Sequence, residues 1–91
     1  MTLTADNILS HEIIGLGVRL LESTDPRLEG LNGTVVFETR NTFSVRQNSG
    51  RIIQVAKKVA KRIEVQTRPG VCFISGSSLI GRPEDRLSRL N

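Results

Sequence analysis

The 91 residues contain no tryptophan and no tyrosine, one cysteine and one histidine. Cys72 alone permits no internal disulfide, and His11 alone leaves no nitrogen and sulfur set for a structural zinc. Without tryptophan or tyrosine the chain lacks the aromatic furniture of SH3-type proline readers and methyl-lysine cages. No apolar run approaches the roughly 20 residues of a membrane span, and Met1-Thr2-Leu3-Thr4-Ala5-Asp6 has neither the basic nor the apolar region of a secretory signal. The expectation is a soluble cytoplasmic protein with no membrane contact. Catalytic groups are equally scarce. Acid–base chemistry needs two titratable groups in divergent environments, and a nucleophile needs an oriented base. His11 stands beside Glu12 in a segment that reads as helix, and Cys72 lies between Val71 and Phe73, where it reads as a small packing hydrophobe. The glycines before Thr34 and after Ser49 lack the lysine and hydroxyl that follow a phosphate-binding loop, so they read as turn glycines.

What is present is unevenly distributed charge. The net charge is +4. Residues 1–39 hold two basic and six acidic side chains, residues 40–68 hold eight basic and one acidic, and residues 69–91 hold three and two. The middle third is therefore electropositive, which points to an anionic partner. Its densest stretch is Ala56-Lys57-Lys58-Val59-Ala60-Lys61-Arg62, where the fourth strand is expected to connect to the fifth. One reading is a solvated loop that keeps a sheet edge soluble. The preferred reading is a phosphate-contact patch to which Arg40, Arg46, Arg51 and Arg68 add their field. Phe37, Phe43 and Phe73 are expected inside, which leaves no exposed ring for stacking bases and favours phosphate and shape contacts with a folded RNA.

A chain of this length supports one domain with one core. Turn signals at Asp25-Pro26, Asn32-Gly33, Arg40-Asn41, Asn48-Ser49-Gly50, Pro69-Gly70 and Gly76-Ser77-Ser78 bound six candidate strands: 18–23, 34–39, 42–47, 51–56, 62–67 and 71–75. Phe43 and Val45 alternate with Thr42, Ser44 and Arg46, and Ile63 and Val65 with Arg62, Glu64 and Gln66, so each strand has one packed and one wet face. The expected fold is all-β, a small six-stranded antiparallel barrel over residues 17–76. Segments 1–16 and 77–91 read as helical or flexible. Thr4 can cap a helix over Ala5–Ile14 that Gly15 ends, and Pro83 suits the first position of another. The apolar residues of the first segment are too many to serve only as a barrel lid. Some of Ile8, Leu9, Ile13 and Ile14 are accordingly expected to face a protein partner, with Ile8, Leu9, Glu12 and Ile13 as the candidate contacts.

Three motifs then point to a family. His11-Glu12-Ile13-Ile14-Gly15-Leu16, Glu38-Thr39-Arg40-Asn41-Thr42 and Gly81-Arg82-Pro83-Glu84-Asp85-Arg86 resemble, in order and spacing, those of archaeal ribonuclease P protein component 1. The resemblance implies an Sm-like barrel and a non-catalytic subunit of an endonuclease whose RNA, with its magnesium ions, matures the 5′ end of precursor tRNA. It implies no cofactor on this chain itself. The implied partners are the ribonuclease P RNA, a zinc-ribbon protein subunit and the other ribonuclease P proteins. Candidate RNA contacts are Arg40, Asn41, Lys57, Lys58, Lys61, Arg62, Arg82 and Arg86. Asn41 suits either the left-handed conformation of a tight turn or an RNA contact, and Glu38 and Thr39 read as residues that secure the turn. The rivals are a small-barrel ribosomal or translation-associated protein, a stand-alone ribonuclease, for which no cleavage constellation can be assembled, and a ring-forming barrel of the Sm type.

Overall fold

The computed structural model describes residues 13–67 and 70–81. Six strands carry the architecture: β1 (Gly17–Ser23), β2 (Asn32–Glu38), β3 (Thr42–Arg46), β4 (Ile52–Ala56), β5 (Ala60–Gln66) and β6 (Val71–Ile74). They form one antiparallel sheet in the order β4-β3-β2-β1-β5-β6. The first four strands are a meander, whereas β5 crosses back to pair with the free side of β1. Only Lys57–Val59, a 3₁₀ turn, joins β4 to β5, although three strands lie between them in the sheet. So short a link requires the sheet to curl until its ends approach, and this makes the domain barrel-like.

The apolar alternation decides what the curl encloses. Leu20, Val35, Phe43, Val45, Val55, Ile63 and Val65 are at most 1% exposed, and cross-strand register sets Phe43 opposite Val55 and Leu20 opposite Ile63. The inward and outward sets of β3 and β5 are those expected from alternation. Cys72 is a free, buried thiol opposite Val65. Ile13 and Leu79 belong to the same core, so it extends past both ends of residues 17–76.

Ile13, expected on a partner surface, is 1% exposed. It stands at a turn in which the Leu16 N–H donates to the Ile13 carbonyl, and Gly15 N–H donates to Val35, so the segment is stitched to β2. An acidic residue at position 13 would enter the core. The remainder of the expected N-terminal helix, with Ile8, Leu9 and Glu12, and the helix expected from Pro83 lie outside the described residues.

The phenylalanines correct a second expectation. Phe43 is buried, but Phe37 and Phe73 are 58% and 48% exposed. On β2 the register shifts between Val35 and Phe37, and this bulge turns Phe37 to the outer face where strict alternation would place it inward. On β6 the four apolar residues leave the phase ambiguous in sequence. Pairing with β5 resolves it by facing Cys72 and Ile74 inward and Phe73 outward.

Two glycines serve close approach. Asn32-Gly33, expected as a turn, lies within β2, and glycine is required there since a Cβ would collide with the Arg46 carbonyl of β3. The actual β1–β2 turn is Pro26–Leu28, capped by the Asp25 side chain, which accepts from the Arg27 N–H. Gly76, buried like Leu79, opens the 3₁₀ turn Gly76–Leu79 against the β4–β5 connector, where a Cβ would collide with the Lys57 carbonyl and lie 2.7 Å from that of Ala60. Both obstacles are backbone. Gly76→Ala should therefore cost about 1–3 kcal/mol in a urea melt; an unchanged midpoint would show that the turn moves aside freely.

Candidate nucleic-acid interface

The dense basic stretch does not form one patch. Its three-residue turn sends successive side chains in different directions, and β5 begins before the stretch ends. Lys57, a candidate phosphate contact, is fully buried. Its Nζ shares its three N–H groups among five oxygens: Glu38 Oε2 at 2.7 Å, the Thr39 and Arg40 carbonyls at 2.8 and 3.2 Å, and those of Leu79 and Gly81 at 2.7 and 3.2 Å. An ammonium so enclosed cannot reach a phosphate. It is a structural clasp that ties the β2–β3 turn, the β4–β5 connector and the segment after β6 together.

The clasp and the hydrogen bonds around it set the β2–β3 turn. Thr39 and Thr42 close it, with hydroxyls 2.6 Å apart, the Thr42 N–H donating to Thr39 Oγ1 and the Thr39 N–H to the Thr42 carbonyl. Lys57 N–H donates to the Asn41 carbonyl, and Gly81 N–H to that of Arg40. Glu38 and Thr39 thus secure the turn, as their position suggested. Arg40 and Asn41 are exposed at its tip.

Lys58, next to the clasp, points outward. With Asn41, Thr42, Ala56 and Ile80 it lines a hollow of about 340 Å³. Two of the candidate RNA contacts, Asn41 and Lys58, are therefore brought together, with Arg40 beside them in the turn. The hollow continues into the outer face of β3 and β4, where Thr42 stands opposite Ala56, Ser44 opposite Gln54 and Arg46 opposite Ile52. Neither strand contains an acidic residue. Below the β3–β4 turn, Arg51 shares a second hollow with Asp25 and Arg27. There Arg27 forms a two-pronged pair with Asp25 at 2.9 and 3.0 Å, and these hydrogen bonds hold the Asp25 carboxyl below its ordinary pKa.

The other end of the stretch belongs to a different face. Lys61 and Arg62 are exposed on β5. Arg62 stands opposite Glu22 of β1, and Arg19 opposite Glu64. The Arg62 guanidinium also lies 4.9 Å from the centre of the Phe73 ring. Positive and negative charges alternate across this face, so its local field is weaker than that of β3–β4. Arg82 and Arg86 lie outside the described residues.

Residues 6–89 match the family model described as ribonuclease P/MRP, subunit p29. The chain belongs to this family. Its relatives include proteins named ribonuclease P protein component 1. That of Methanococcus vannielii is 43% identical over 88 residues, covering 93% of this chain and 89% of the relative. That of Methanocaldococcus jannaschii is 39% identical over 87 residues, covering 96% and 90%. The solved structure of Mth11, described as a homologue of human RNase P protein Rpp29, is similar with a TM-score of 0.60 and 42% identity, over 84% of this chain and 97% of that one.

In this p29-family chain, sequence reasoning missed Ala56 and Ile80 as walls of the hollow. Neither carries a polar group to draw attention. Thr42 was visible as the last residue of the Glu38–Thr42 motif and as an outward position of the third strand, with no sign that it lines a hollow. Among the described residues no three of His, Cys, Asp and Glu cluster as metal ligands, and no helix is long and apolar enough to cross a membrane.

Proposed function

We propose that this chain is a non-catalytic, RNA-binding subunit of a cytoplasmic ribonuclease P, and that it meets the ribonuclease P RNA through the outer face of β3 and β4 and the adjoining hollow. The observation that carries the reading is the charge segregation produced by folding. Arg40, Arg46 and Lys58 project on a side whose strands bear no carboxylate, while Glu38 is withdrawn into the clasp with Lys57. Such a surface attracts a polyanion without an internal competitor. Cleavage in this reading belongs to the RNA subunit and its magnesium ions. The protein supplies fixed cations where phosphates crowd and so lowers the magnesium requirement of the holoenzyme.

A protein partner is part of the same proposal. Ile14 and Phe37 are exposed, and the Gly15–Val35 hydrogen bond binds the segment carrying Ile14 alongside β2, which carries Phe37. This apolar surface suits a protein subunit of the enzyme, and a zinc-ribbon subunit is the proposed occupant, with Ile8, Leu9 and Glu12 contributing from the N-terminal segment.

The deciding experiment is a salt titration of binding to ribonuclease P RNA. Lys58→Ala combined with Arg46→Ala should weaken binding and reduce the slope of log K against log salt by roughly 0.7–0.9 for each phosphate that is no longer neutralised. The equivalent double change at Lys61 and Arg62 should alter the slope less. An unchanged slope in the first variant returns β3–β4 to an ordinary solvated face.

A further inference from the structure

The Asn41 side chain, unlike its carbonyl, has no structural task in the turn that carries it. No non-glycine residue among those described has a positive φ, so the position does not use asparagine's tolerance of the left-handed region. The turn is closed by Thr39 and Thr42, and the Asn41 side-chain amide makes no hydrogen bond among the described residues. That amide borders the hollow of about 340 Å³, with Thr42 and Lys58 as its other polar lining and Ala56 and Ile80 as its apolar walls. Lys58 takes part in no salt bridge among the described residues.

This combination selects a ligand class. A phosphate alone calls for converging donors and has no use for aliphatic walls. An unpaired nucleobase has an apolar face and an edge carrying both donors and acceptors, and asparagine offers both from one group. The volume falls at the small-ligand end of the usual range. No aromatic residue lines the hollow among the described residues, so a base would be held by aliphatic packing and edge hydrogen bonds and not by stacking.

Resting on the reading of β3–β4 as an RNA face, we propose that the hollow formed by Asn41, Thr42, Ala56, Lys58 and Ile80 takes one unstacked nucleotide of a single-stranded RNA segment. The base packs against Ala56 and Ile80 and presents its edge to the Asn41 amide, and the adjoining phosphate meets Lys58.

The test separates this pocket from the charged face by salt dependence. Asn41→Ala removes the edge hydrogen bonds, and Ala56→Leu fills the hollow; neither changes charge. Each should weaken binding to ribonuclease P RNA by about tenfold. Asn41→Ala should leave the log–log slope unchanged, since it removes no phosphate contact, whereas Ala56→Leu, by evicting the nucleotide whose phosphate meets Lys58, should lower the slope by no more than the roughly 0.7–0.9 of that one contact. Chemical probing of base edges should show one unpaired base protected by the wild-type protein and reactive in the presence of Asn41→Ala. Thermal melts accompany both variants, and because Asn41 is exposed at a turn tip its variant keeps the test decisive if Ala56→Leu unfolds. Undiminished affinity in Asn41→Ala, with the slope still reduced in the Lys58 and Arg46 variant, overturns the nucleotide pocket and leaves the RNA face standing. Loss of pairing with a protein subunit at unchanged RNA affinity would assign the hollow to a protein side chain, which also overturns it. An unaltered slope in the charge variant overturns the face and the pocket together.

Discussion

Lys57→Met should lower the unfolding free energy by about 3–5 kcal/mol, the cost of breaking a buried ion pair by removing one member. Glu38 is 6% exposed in its side chain, so its carboxylate would lose the Lys57 ammonium in a dry site. The carbonyls of Thr39, Arg40, Leu79 and Gly81 would be deprived of a donor at the same time. A domain of this size has a total stability of roughly 5–10 kcal/mol, so much of the population should unfold at physiological temperature. Lys57→Arg should not rescue it, because a planar guanidinium does not fit a site built around one point charge. Urea melts monitored by circular dichroism measure the effect. A decrease below about 1 kcal/mol would mean that Lys57 swings out to solvent, which would return it to the set of possible phosphate contacts.

Phe43→Ala should cost about 3–5 kcal/mol by a different mechanism. Phe43 is 1% exposed and lies opposite Val55 on β4 and Glu38 on β2. Deleting its ring leaves a cavity in a sheet whose curl depends on that packing, and neighbouring strands cannot close on it without breaking register. The matching change Phe37→Ala should cost less than about 1 kcal/mol, since that ring is exposed. Equal costs for the two would place the β2 bulge elsewhere and reverse the assignment of the outer face.

The two phenylalanines show how far strand periodicity reaches. Thr42–Arg46 and Arg62–Gln66 alternate cleanly, and both strands have the orientation that the alternation implies. On β2, Val35, Val36 and Phe37 form an apolar run with no phase of its own, and a bulge chosen by pairing with β3 decides which side each occupies. The Asn32-Gly33 dipeptide failed as a turn signal for a related reason. Its glycine answers a backbone contact with Arg46 of β3, and nothing in the neighbouring residues distinguishes that use from a turn.

Family membership was legible through three short motifs, and the middle one proved to sit at the centre of the candidate interface. The roles of its residues divide in a way the motif does not display. Glu38 and Thr39 face the clasp and the turn, while Arg40 and Asn41 are left to solvent. Ile13 belonged to another motif and was expected on a partner surface, yet the core claims it because Gly15 binds Val35 and folds the segment onto the barrel.

The sequence by itself determined the strand count, the wet and packed faces of β3 and β5, the electropositive middle third and the shortage of catalytic groups, because these depend on composition and on a two-residue period local to each strand. The tertiary structure alone decided which cations face outward. Lys57 and Lys58 are adjacent and chemically identical in sequence, but one Nζ is surrounded by oxygens from residues 17 to 24 positions away and the other side chain is exposed. Curling of the sheet brings those oxygens together, and no local pattern encodes their meeting. Burial of one positive charge with Glu38 removes the nearby negative charge as well, so the fold itself leaves Arg40, Arg46 and Lys58 on a surface without acidic neighbours on β3 or β4.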